Sequence, residues 1–469
     1  MYKKENLEKR HSHLETGLQK RQIDILHGSI WKGLLQFAMP VEATAILAQL
    51  FNASDIAVVG NFTGESGTVA VAAVGSNSPI IGLIVNLFIG IALGVTVVIA
   101  NAIGRNDTES VQKTVHTSII VAVIGGIFVA GIGEFAAAPL LKMLHVTADV
   151  FPSALLYLRI YFLGMPVILL YNFEAAIFRS IGETKIPLMA LAFSGVLNVI
   201  LNVFFVVVLH MTVDGVAIAT VASNAISSVI LYRSLRRTTQ EIHVEPRFLR
   251  IDTASLKQIL RIGLPAGIQS AVFAVSNIVI QSAINSLGTV VMAASSAAFN
   301  IEIISYQVLN SFSQACTTFV GQNCGAGDWK RCKKTLRLSL LEGSIALGIA
   351  IALILFFGKS LIAIFDHHVE VVRIGYIRLI ILMISHIFTL LYEVLSGYLR
   401  GFGISFIPAL LTMLGVCGVR IGWIQLVFPH RQTFETIMLG YPISLVVTAF
   451  ILLIAVICCR PAHKLRQVS

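Results

Sequence analysis

Twelve apolar runs, separated by short polar breaks, divide almost the whole chain. They fall at about residues 33–60, 68–103, 115–141, 152–178, 186–210 and 213–236, then at about 258–286, 289–323, 335–365, 372–399, 405–429 and 434–459. About 20 residues suffice to cross a bilayer as a helix, and each run is that long. A bilayer offers the backbone no hydrogen-bonding partner, so only helices or closed barrels cross it. Runs of this length are helical. The pattern therefore predicts an all-α polytopic membrane protein with twelve transmembrane helices. Those longer than the bilayer needs are expected to tilt or to extend into water.

The breaks carry the topology. The N-terminal tail holds Lys3, Lys4, Lys9, Arg10, Lys20, Arg21 and Lys32. Every second break after it is also basic. The central one carries Arg233, Arg236, Arg237, Arg247, Arg250, Lys257 and Arg261, and the one after the eighth run carries Lys330, Arg331, Lys333, Lys334 and Arg337. The breaks around 61–67, 143–151, 211–212 and 287–288 hold no Lys or Arg. The positive-inside rule then places both termini in the cytoplasm, and the expected location is the cytoplasmic membrane. The expected division is a cytoplasmic tail over 1–33, a six-helix lobe over 34–237, a cytoplasmic inter-lobe loop over 238–256, a second six-helix lobe over 257–460, and a short cytoplasmic tail over 461–469. No polar segment is long enough to bury a core of its own.

Composition agrees. Of the 469 residues, 56% are hydrophobic and 12% charged, against about 25% charged in a soluble domain. The formal charge of +10 lies in the breaks, so it reads as topology and not as a nucleic-acid face. The first 30 residues contain no apolar stretch of the signal-peptide kind. The six cysteines (Cys316, Cys324, Cys332, Cys417, Cys458 and Cys459) form no C-x-x-C pair and no Cys/His cluster with metal-ligand spacing. They read as reduced, small apolar fillers. His11 and His13 in "HSH" read as solvated tail residues. H-E-x-x-H, G-x-S-x-G and G-x-x-x-x-G-K-[ST] are all missing from the sequence, so neither an enzyme nor an ATP-driven pump is expected, and no cofactor.

The two groups of six runs resemble each other. Arg179, Gly182 and Pro187 of "FRSIGETKIP" recur 221 residues later as Arg400, Gly403 and Pro408 of "LRGFGISFIP". The same offset carries Gly104, Asp107 and Lys113 onto Gly325, Asp328 and Lys334. Pro40, closing "FAMP", is echoed at an offset of 225 by Pro265, closing "IGLP"; the longer first loop "NFTGESGT" fits the difference. With an even number of spans in each half, both repeats enter from the same side and are related by an axis along the membrane normal. Two like bundles facing a shared cavity is an architecture for alternating access.

Against this apolar background, ionisable residues stand out. Asp55 lies inside the first run, in "QLFNASDIAVVG", and a carboxylate within the bilayer usually faces a cavity or marks an ion pathway. In "LNVILN" the fifth run places Asn198 and Asn202 four apart, on one helix face. One carboxylate with neutral amide oxygens suits a small hard cation such as Na+; the carboxylate alone can instead take a proton. Under the 225 offset Asn52 matches Asn277, but Asp55 matches Ile280. A coupling site is therefore expected in the first half. Glu174 and Glu393, late in the fourth span of each half, are candidates for the cavity wall, with Asn52 and Asn277, or else partners of Arg179 and Arg400. Glu302, Arg378, His386 and Arg420 look isolated. The "GRND" and "GAGD" turns read as helix N-caps on Asp107 and Asp328, and "RSIG" and "RGFG" as tight connections in which Gly supplies positive φ.

Taken together, these residues resemble the multidrug and toxic compound extrusion (MATE) transporters, over about Leu34 to Cys459. The resemblance rests on the paired "MP" and "LP" openings, "N-x-x-D-x-x-x-V-G" at 52–60, the "GRND" and "GAGD" turns and the repeated "R-x-x-G-x-x-x-x-P". It implies a V-shaped pair of six-helix lobes that exchanges drug-like organic cations for Na+ or H+. It also implies a cation site in the first lobe at Asp55, Asn198, Asn202 and, in "GVAIATVAS", Thr220. Many relatives carry Asp where this chain has Asn202, so here the site has one carboxylate where they have two. The expected protein is a monomeric antiporter surrounded by lipid. Its rival is a flippase of the same fold for a lipid or lipid-linked substrate. Such a cavity needs several cationic residues to hold phosphate, and the first, second, seventh and eighth runs hold almost none.

Overall fold

The computed structural model describes residues 23–63 and 67–461; the basic residues Lys3 to Arg21, the "HSH" and nearly all of the C-terminal tail lie outside them. Among the described residues every regular element is helical. Span 1 is Ile30–Phe62, span 2 Gly67–Gly104 and span 3 Thr108–Met143. Span 4 is Phe151–Leu163 with Met165–Ser180, span 5 Lys185–Val208 and span 6 Val213–Arg237. In the second half, span 7 is Thr253–Asn285, span 8 Thr289–Gly325 and span 9 Trp329–Ala363. Spans 10, 11 and 12 are Val369–Gly401, Phe406–His430 and Phe434–Cys459. Eleven of these are long and apolar enough to cross a membrane unbroken. The fourth crosses as a pair of helices bent by 51°. Pro166 opens the second piece of span 4 and has no N–H to continue the ladder, so the chain breaks at Gly164.

The observed helices extend the apolar runs most where their first turns are polar. Span 3 begins at Thr108 because Asp107 accepts from Ser110 N at 3.0 Å. Span 9 begins at Trp329 because Asp328 accepts from Arg331 N at 2.9 Å. These are the two N-caps that the repeated turns predict, and the Ser110 bond holds the Asp107 carboxyl below the usual range. Gly182 (φ 82°) and Gly403 (φ 75°) close the two "R-x-x-G" turns in the left-handed region. The outer faces show large apolar side chains such as Ile127, Phe128, Phe135 and Phe356. In water such faces would be a liability; against lipid they are the expected surface.

Apolar clusters fill each half, and others join the halves: Ile259 and Ile262 of span 7 pack into a first-half cluster, and Phe37 of span 1 packs with Phe319 of span 8. The hydrogen bonds between the halves gather at one end, the end of the basic breaks. There Gln322 Nε2 donates to Ser180 O at 2.7 Å, and Asn101 Nδ2 to Gly401 O at 3.1 Å. Asp252 N donates to Thr117 Oγ1 at 2.9 Å. Toward that end spans 2 and 7 cross so closely that a Cβ on Gly90 would fall on the backbone of Gly267. The segment just before span 1 is strapped across the same end: Arg331 Nη2 reaches Ile25 O at 2.8 Å and Gly28 O at 2.9 Å. The two lobes thus meet at one end and enclose a cleft between them.

Candidate functional site

The cleft holds a cavity of about 540 Å³, lined from both halves. Its first-half wall contains Asp55, seven residues from the end of span 1. Gly195, Asn198 and Asn202 share one face of span 5, and the missing side chain at Gly195 is what the Phe51 ring fills. That fit lets span 5 lie against span 1 and brings its two amides to the carboxylate. Asn202 Nδ2 donates to Asp55 Oδ1 at 2.5 Å and to Asn198 Oδ1 at 3.2 Å. From span 6, Thr220 Oγ1 lies 3.0 Å from Asp55 Oδ2 and 2.9 Å from Val216 O. A hydroxyl has one proton, so it serves one of these oxygens at a time. Asp55, Asn198 and Asn202 are all buried.

The donor set defines what this constellation can hold. It offers one carboxylate and the neutral oxygens of Asn198, Asn202 and Thr220. Asn202 Oδ1 is buried and accepts no protein hydrogen bond, which leaves an oxygen free for a ligand. Among the described residues no group of three or more His, Cys, Asp or Glu gathers as a metal-ion site. A single negative charge with hard neutral oxygens fits a monovalent hard cation or a proton, and fits a multiply charged transition ion poorly.

The remaining candidates separate. Asn52 and Glu393 line the cavity. Glu174 does not: it is fully buried inside the first half, where its Oε2 accepts from Ser228 at 2.9 Å. Asn277 is exposed and lies outside the cavity wall. Neither glutamate pairs with the arginine nearest in sequence. Glu393 accepts from Tyr306 at 3.4 Å, Arg179 reaches Gln314 Oε1 at 3.3 Å, and Arg400 reaches Gln269 Oε1 at 2.8 Å.

The residues that look isolated in sequence are partnered in the second half. Arg378 forms a buried ion pair with Glu302 at 2.9 Å and donates to Ser295 at 2.6 Å. His386 Nδ1 shares a hydrogen bond with Ser305 at 2.9 Å. Arg420 bonds Ser444 at 2.9 Å and lies 4.2 Å from the Tyr441 ring centre, a cation–π distance. The first, second, seventh and eighth spans bring no cationic residue to the cavity. Spans 4 and 10 supply two, Arg179 and Arg400. The signal was present in the repeated "R-x-x-G", which reads first as a turn motif.

Two six-helix halves around a shared cleft, with a buried carboxylate in its wall, define a polytopic membrane transporter. The comparisons with known proteins agree on its family. A family model, MatE, matches residues 40–204 and 265–424, one stretch in each half. The chain belongs to this family, the MATE transporters, and is a transporter and not an enzyme. It is 25% identical over 433 residues to the "Probable multidrug resistance protein YoeA" of Bacillus subtilis (strain 168), covering 90% of this chain and 93% of that one. It is 24% identical over 290 residues to an "FAD transporter" of Shewanella oneidensis, covering 60% of this chain and 63% of that protein. Among solved structures, an outward-facing conformation of a multidrug resistance MATE family transporter of the MOP superfamily superposes with a TM-score of 0.86 at 21% identity. It covers 94% of this chain and 99% of the other. The twelve-helix fold, with its pair of lobes, is therefore shared.

Proposed function

We propose that the protein is a secondary antiporter that exports amphipathic organic cations in exchange for Na+ or H+. The observation that carries this reading is the buried Asp55–Asn202–Asn198–Thr220 constellation in the wall of a drug-sized cleft. Ionised Asp55 favours a state that accepts a cationic substrate. Binding of Na+ or H+ at Asp55, Asn198, Asn202 and Thr220 neutralises it, frees the Thr220 hydroxyl for Val216 and changes how spans 1, 5 and 6 pack. Coupling follows when ion and substrate each prefer a different state. No cofactor is needed beyond the ion, and one chain encloses the whole cleft, so a monomer suffices.

The basic breaks support placing the closed end of the cleft in the cytoplasm, with both termini. On that topology this state opens outward, poised to release substrate and load the ion. The flippase reading is weaker because a cavity of about 540 Å³ matches the usual range for small-molecule sites, not a lipid-linked sugar. A relative named as an FAD transporter nevertheless brings substrates other than organic cations within reach of the same fold.

The test is transport of a fluorescent organic cation in proteoliposomes. A Na+ gradient and a pH gradient are imposed separately, on wild type and on Asp55→Asn. Transport driven by one gradient and abolished in the variant is expected, and it names the ion. Equal gradient-driven transport in the variant would make Asp55 structural. A wild type that answers neither gradient would remove the antiport reading.

A further inference from the structure

Four charged side chains line the cleft, and they balance: Asp55 and Glu393 against Arg179 and Arg400. A site built for simple organic cations has no use for two guanidiniums in its wall. Both arginines sit at the closed end, in the last turn of spans 4 and 10. Arg400 is 8% exposed. Its Nη2 donates to Gln269, while its Nε is buried and donates to no protein atom. A buried donor left without an acceptor is costly and calls for an explanation. A guanidinium has five N–H donors. The bonds to Gln269 and Gln314, which line the same cleft, leave much of both forks unused. Glu393 stands two turns before Arg400 on span 10 and is held by Tyr306, so it does not neutralise the fork by direct pairing.

We propose that the closed end of the cleft is an anion-recognising subsite. Arg400, with Arg179 beside the same cavity, receives a carboxylate or phosphate group of the substrate while its cationic or aromatic part lies toward Asp55. The preferred substrates are then amphipathic molecules that carry an anionic group, zwitterions among them. This deepens the export reading and rests on it. Planar oxyanions are what a guanidinium fork recognises with two parallel bonds, which a lysine cannot reproduce.

The experiment measures dissociation constants on the purified full chain by fluorescence polarisation, with two matched dye pairs. Rhodamine 123 (a methyl ester) against rhodamine 110 (its free acid) reads a carboxylate. Riboflavin against flavin mononucleotide reads a phosphate. Wild type is expected to prefer the anionic member of at least one pair, and which pair names the group. Arg400→Gln is expected to reduce that preference roughly tenfold, the effect of one charge-assisted hydrogen-bonded contact. Arg400→Lys keeps the charge without the fork and is expected to fall between; it carries the same measurement if Arg400→Gln does not fold. No preference in wild type for either pair, or a preference unchanged in the variants, overturns the proposal. Gradient-driven transport without the preference sinks this inference alone. The preference without gradient-driven transport sinks the antiport reading alone.

Discussion

At the scale of single residues, the proposed coupling turns on one proton. The Thr220 hydroxyl can bond Asp55 Oδ2 or Val216 O, but not both at once. While Asp55 is ionised the hydroxyl supports the charge; once the charge is cancelled the hydroxyl is free to turn to the backbone. Thr220→Val removes this support, and the two candidate coupling ions are expected to respond with opposite signs. A proton binds more readily to a carboxylate that has lost a donor, so half-maximal transport moves to lower proton concentration. Na+ loses an oxygen ligand, so half-maximal transport moves to higher Na+ concentration. Either shift is expected to be roughly tenfold, the weight of one hydrogen bond to a charged group. The measurement is the ion dependence of dye transport in proteoliposomes. An unshifted midpoint for both ions would take Thr220 out of the site.

At the scale of the helix, the controlling feature is how close two backbones come. Spans 2 and 7 touch where Gly90 faces Gly267, and any Cβ on Gly90 meets main chain that has no rotamer to yield. Gly90→Val is expected to force the spans apart at a cost of about 1–3 kcal/mol, as overpacking does elsewhere. Gly131→Ala is the matched control: it too fills a mid-helix glycine, but into open space, where alanine favours the helix by up to about 1 kcal/mol. Thermal unfolding in detergent should place the valine variant below wild type and the alanine variant at or above it. Equal midpoints would mean that the crossing has slack. The elements themselves are legible in the sequence because a bilayer makes hydrophobic length nearly decisive. Repeated caps such as Asp107 and Asp328 fix the ends. Partnership is not legible. Periodicity puts Asn198 and Asn202 on one face, but nothing local says that the face meets a carboxylate 147 residues away, or that Arg378 finds Glu302 across 76. Arg179 and Arg400 look like turn residues for the same reason. Their turns are local, whereas the cavity they enter is made by the other half of the chain.

At the scale of the whole molecule, the proposed exchange requires that one end of the cleft open as the other closes. The closed end is tied by Gln322 to Ser180 and Asn101 to Gly401, and by Arg331 to the strap at Ile25 and Gly28. All four of these bonds end on backbone carbonyls, so opening parts each side chain from main chain and not from another flexible side chain. Arg331, like Gln322 and Asn101, does not line the cavity, so its loss leaves the cleft wall untouched. Arg331→Gln removes guanidinium bonds to two carbonyls, worth about 1 kcal/mol each in net terms, and biases the equilibrium toward the opposite state by roughly tenfold or more. Spin labels at positions 143 and 364 mark the outer ends of spans 3 and 9, one in each half, where Met143 and Ile364 are exposed. A second pair, at the exposed Lys185 and Phe406, marks the tied end. On a cysteine-free background, electron–electron distance measurements should show the first pair drawing together and the second moving apart in Arg331→Gln. If the lobes rock as rigid bodies about the cleft, the two changes must appear together and with opposite sign. A change at the tied end alone would mean that the strap merely frays, and the outer cleft is governed elsewhere.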